Sequence, residues 1–147
     1  MKTLPGKILT LLTALTLALT LTGHTARADE KETDLGKQMK IIAKSVKQLK
    51  GQIADAAQQQ SSITLVETAK AAATEARKLT PAHAADIPEA DRPKFITDYQ
   101  TQIDVLIKDF TTIDDALHAG KYDDAQKTFA DLGNVKKDGH KQFIKPE

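Results

Sequence analysis

Apolar side chains recur along most of the chain at steps of three and four, the repeat of a helix with one buried face. Leu35, Met39, Ile42, Val46, Leu49, Ile53 and Ala56 advance by 4, 3, 4, 3, 4 and 3, with Lys and Gln on the remaining positions. This spacing predicts a first helix over about 33–57, capped at its start by Thr33 or Asp34. Gln58-Gln59-Gln60-Ser61-Ser62 interrupts the pattern and reads as a short polar connection. A second helix over about 62–79 aligns Ile63, Val66, Ala69, Ala73, Ala76 and Leu79. Its alanines imply close approach by a neighbouring helix. It ends at Thr80-Pro81, because the residue before a proline avoids the α region.

Residues 81–93 carry three of the five prolines and form the longest connection. A third helix over about 93–119 follows, with Phe95, Tyr99, Ile103, Leu106, Phe110, Ile113 and Leu117 on one face and Gly120 as its stop. The fourth, over about 122–145, presents Ala125, Phe129, Leu132, Val135 and Phe143. Asp123 and Asp124 fall in its first turn, where the helix dipole favours carboxylates. No strand alternation competes. The expected fold is all-α, an antiparallel up-down-up-down four-helix bundle.

The first 28 residues stand apart from this pattern. Lys2 and Lys7 precede a 14-residue apolar run, Ile8 to Leu21, and Ala26-Arg27-Ala28 forms an A-x-A cleavage site. The run is short of the ~20 residues of a spanning helix, so residues 1–28 read as a cleaved signal peptide and 29–147 as the bundle domain. The expected compartment is the periplasm, with no membrane anchor after cleavage. The full chain has 21 basic and 20 acidic side chains. Cleavage leaves 18 against 20, a formal charge of −2. That argues against nucleic acid as a partner and points to a basic patch on any protein partner. Cysteine is absent, which excludes disulfides, thiolate metal sites, a lipoprotein anchor and haem attached through C-x-x-C-H. No exposed apolar stripe stands out, so a monomer is expected.

The sequence lacks G-x-S-x-G, a glycine-rich phosphate loop, H-E-x-x-H and any Glu-x-x-His pair. No enzymatic activity is expected. Adjacent acids such as Asp114-Asp115 read as solvated helix surface. After cleavage there remain His83, His118, His140 and one methionine, Met39. In an up-down bundle the first and last helices are antiparallel neighbours. Met39 and His140 then lie at one level, roughly 8–10 Å from the same end. A thioether and an imidazole so placed can hold haem iron from opposite sides. Ile42, Val46, Leu106 and Phe110 would wall an apolar slot, Pro81 would touch its rim, Gly139 would leave space, and Lys136 would meet a propionate. The same residues admit plainer readings: Met39 as core, and His140 as a surface residue suited to a helix C-terminus. Loop residue His83 is a competing ligand, and His118 lies at the far end.

Several segments resemble the soluble periplasmic cytochrome b562 family. They are Leu35-Gly36-Lys37-Gln38-Met39, Ala71 through Pro81, Ile113-Asp114-Asp115-Ala116-Leu117, Gly120-Lys121, Asp124-Ala125-Gln126, and His140. The resemblance runs from about Leu35 to Phe143. It implies one non-covalent haem b, with Met39 and His140 as axial iron ligands, and one-electron transfer to a redox partner the sequence does not name. The chain departs from the family pattern at Gln102, Leu106 and Gly139, where aromatic residues are expected, and in a shorter turn between the third and fourth helices. The alternatives are a cofactor-free periplasmic bundle acting as a binding or stress protein, and a copper site built on Met39, His140 and His83.

Overall fold

The computed structural model describes residues 32–144. The expected signal peptide lies outside the described residues. Within them the chain is all-helical, without a strand. Its four α-helices are α1 (Asp34–Lys50), α2 (Gln59–Arg77), α3 (Arg92–His118) and α4 (Tyr122–Phe143). Single 3-10 turns at Ala56–Gln58 and Ala82–Asp86 precede α2 and α3.

Helix α1 starts where the capping signal lies: the Gly36 amide donates to Thr33 Oγ1 at 3.0 Å. It stops seven residues before the expected end. The Gly51 amide closes on the carbonyls of Gln48 and Leu49, and the chain turns. Asp55 then caps the following 3-10 turn, its carboxylate accepting from the Ala57 amide at 2.9 Å. Ile53 stays buried on the far side of the break, whereas Ala56 is exposed. Helix α2 begins at Gln59, so the expected polar connection at 58–62 is mostly its first turn. The Gln52 side chain donates to Ser61 Oγ and Ser62 Oγ, at 2.8 and 3.2 Å.

The turn after α3 is a Schellman closure. The Lys121 amide reaches the Ala116 carbonyl at 2.8 Å and the Gly120 amide reaches Leu117 at 3.0 Å. Gly120 adopts φ 67°. A Cβ there would meet nothing within 4 Å, so Gly120→Ala should cost only backbone strain, about 1 kcal/mol. Urea unfolding checks this; a loss several times larger would mean that the turn makes contacts beyond its backbone.

Consecutive helices pack together, α1 on α2, α2 on α3 and α3 on α4. This arrangement is consistent with a four-helix bundle. The core holds Leu49, Val66, Ala73, Phe110, Ile113, Leu117 and Ala125, every one of them on an expected helix face. Side-chain bonds tie the middle pair. The Gln59 amide donates to the Leu117 carbonyl, Lys70 meets Asp114 at 2.9 Å, and Arg77 forms a two-pronged pair with Asp104. Partner numbers fall along α3 as they rise along α2. Asp114 is therefore not solvated surface. It is 8% exposed, because it faces α2 and the Lys70 ammonium. Asp115 beside it is exposed, as expected.

No comparable approach joins α1 to α4. The bundle is closed on three sides and open on the fourth.

Candidate functional site

The open side between α1 and α4 holds a cavity of about 690 Å3. Each wall follows from a helical face. From α1 come Leu35, Met39, Ile42 and Val46, the first half of its 4-3-4 seam. From α3 come Tyr99, Ile103 and Leu106. From α4 come Phe129, Leu132, Val135, Gly139, His140 and Phe143. Pro81, buried near the start of the α2–α3 connection, closes one edge. Small residues face the gap on both sides, Ala43 on α1 and Ala130, Gly133 and Gly139 on α4. The space at Gly139 is genuine, since a Cβ there would touch only the Gln102 side chain, at 3.7 Å or more.

Met39 and His140 line this one cavity, together with Ile42, Val46, Leu106 and Pro81. Met39 is half-buried and His140 is exposed. Among the described residues, neither ring nitrogen of His140 has a hydrogen-bond partner. Phe110 does not reach the cavity. It is fully buried, because one turn beyond Leu106 the α3 face turns into the closed part of the core. His83 is not part of the lining either. Its Nδ1 lies 3.4 Å from Asp86 Oδ2, and its ring meets Phe95 edge-on at 5.7 Å. His118 closes α3, its Nδ1 3.0 Å from the Asp114 carbonyl.

The inner wall is backed by aromatic rings. Phe143 packs edge-to-face on Tyr99 at 5.5 Å and on Phe95 at 5.3 Å. The Tyr99 hydroxyl donates to the Ala76 carbonyl at 2.8 Å. Gln102, a polar residue in this wall, spends its amide on the Val135 carbonyl at 3.0 Å. Burial pushes the Tyr99 phenol up to about 12. Its proton is thus held more tightly in the folded protein than in the unfolded chain, where the pKa is near 10. The resulting stabilisation is complete below pH ~10 and is lost as the pH rises towards 12. Wild-type unfolding free energy should fall over that interval by about 2–3 kcal/mol more than that of Tyr99→Phe. Identical pH profiles for the two proteins would remove Tyr99 as the source.

Charge at the cavity has one sign. Lys47 and Lys50 on α1 and Lys136 on α4 stand in its lining, and no aspartate or glutamate does. Sequence reasoning singled out Lys136 but missed Lys47 and Lys50. The available signal was their position one residue after and four residues after Val46, where a lysine stem can cover apolar surface and keep its ammonium in water.

Fold and cavity together define a class, an all-helical protein with a large apolar cleft that presents one thioether and one imidazole. Residues 34–143 match the family described as cytochrome b562, and the chain belongs to that family. No curated protein matches the sequence closely enough to count as a relative. No helix among the described residues is long and apolar enough to cross a membrane.

Proposed function

We propose that the protein is a periplasmic electron carrier that holds one non-covalent haem b between Met39 and His140. The observation that carries this reading is the meeting of both side chains in one apolar cavity, beside basic groups and no acid. The residues suit the cofactor. The thioether and imidazole are a known axial pair, the walls are apolar, and Gly139 leaves room. When bound, the haem iron supplies a reversible one-electron couple.

The chain's own groups do the rest. Met39 and His140 would both hold the iron, and a metal held by two protein side chains suits electron transfer better than substrate chemistry, which is why the protein is read as a carrier and not an enzyme. The soft sulfur of Met39 would favour the reduced state of a haem held there and so raise its potential. Ile42, Val46, Leu106 and Pro81 would cover a bound haem with apolar surface, which would oppose the more highly charged oxidised state. Lys136, one turn before His140, would meet a propionate carboxylate. The falling partner numbers between α2 and α3 support an antiparallel up-down-up-down topology. Export behind a signal peptide at 1–28 accords with the chain's lack of cysteine. The bundle domain is read as a monomer.

An optical spectrum of protein purified from periplasm, oxidised and then reduced with dithionite, tests the reading. Expected are a sharpened Soret band and narrow visible bands on reduction, with one iron per chain. A blank spectrum that stays blank after haemin is added would overturn it.

A further inference from the structure

Five lysines line the outward side of α1: Lys37, Lys40, Lys44, Lys47 and Lys50, against one acid, Asp34. All five are exposed. Lys37 pairs with Asp34 at 2.7 Å and Lys40 with Glu32 at 2.8 Å. Lys44, Lys47 and Lys50 have no carboxylate within 4 Å among the described residues. The stripe runs directly to the open side of the bundle, where Lys47 and Lys50 edge the cavity. This is a local concentration, not the sign of the whole molecule. Helix α3 carries five aspartates against three basic residues, and the chain after residue 28 has 18 basic and 20 acidic side chains.

We propose that the lysine face of α1 is a docking surface for a protein partner with a carboxylate-rich patch, seated beside the mouth of the cavity. A patch with an excess of one charge steers an oppositely charged partner and fixes its orientation. The whole-chain charge pointed to a basic partner, but only the local field acts across a contact, because salt screens charges beyond about 8 Å. An acidic membrane fits less well. A helix that lies on lipid turns an apolar face outward, and the apolar face of α1 turns towards the cavity and the core. Among its large apolar residues only Ile41 is exposed, at 41%.

The surface itself needs no cofactor; its role in electron exchange rests on the haem reading above. Two measurements keep the two apart. In the first, the isotope-labelled full domain is titrated with poly-L-glutamate at low salt and followed by amide NMR. Shifts confined to α1 around Lys40–Lys50, and abolished in Lys40→Glu/Lys44→Glu, support the proposal. Neither of those lysines lines the cavity. Shifts scattered over the molecule, no shifts, or preferential binding to phosphatidylglycerol vesicles would overturn it. In the second, the haem-loaded protein is reduced and mixed with ferricyanide, a trianion, across a salt series. The rate should fall as salt rises, despite the net negative charge, and should drop roughly tenfold at low salt in the double variant with its spectrum unchanged. A rate that rises with salt would mean that whole-molecule charge governs, which overturns the proposal. A chain that takes up no haem fails the cofactor reading alone, and the NMR titration then decides the docking surface.

Discussion

His140→Ala should weaken haemin binding by at least about 100-fold, because even the outer partners of metal ligands contribute 10–100-fold. The imidazole has no competing hydrogen bond within the described residues, so its removal deletes a donor without disturbing a network. Met39→Ala should behave differently. The half-buried thioether also packs against the core, so the variant should keep the bundle, open one coordination position and lower the reduction potential. Haemin titration and a redox titration check the pair. Unchanged spectrum and potential in Met39→Ala would remove Met39 from the site, and full-strength haemin binding by His140→Ala would remove His140.

Phe110→Ala should cost about 3–5 kcal/mol, the usual loss for deleting a fully buried ring, and lower the melting temperature by on the order of 10–20 °C for a domain of this size. Phe110 is 0% exposed and belongs to the central core cluster, so its loss would leave a cavity there. Leu106 lies one turn away but is half-buried at the cavity. Leu106→Ala therefore enlarges an existing space and should cost much less, about 1–2 kcal/mol. Calorimetry of the two variants tests this contrast. Equal losses would mean that the cavity wall is as tightly packed as the core.

The contrast also marks how far the sequence could be read. The 4-3-4 seams predicted four helices and most of the core, since burial of one face is what sets that spacing. The end of α1 was hidden because Ile53 keeps the helical phase after the chain has left the helix. Only Gly51 and Asp55 betray the break. Buried Asp114 carried no local signal, as its partner Lys70 is 44 residues away in sequence. Helix lengths sufficed to place Met39 and His140 towards one end, and both line one cavity. The gap between α1 and α4 was not legible, because an apolar stripe looks the same whether a helix or an empty space faces it. In retrospect Ala43, Ala130, Gly133 and Gly139 encode the gap: side chains too short to reach across it.

The open side of the bundle separates the first helix from the last. Helix α4 packs chiefly on α3, and α1 chiefly on α2, so each outer helix has one main packed neighbour where α2 and α3 have two. A ligand gripped by Met39 and His140 would join residues 101 positions apart in sequence. It would turn a linear stack of helices into a ring. Its release would then be governed less by the walls of the cavity than by how often either end of the chain lets go.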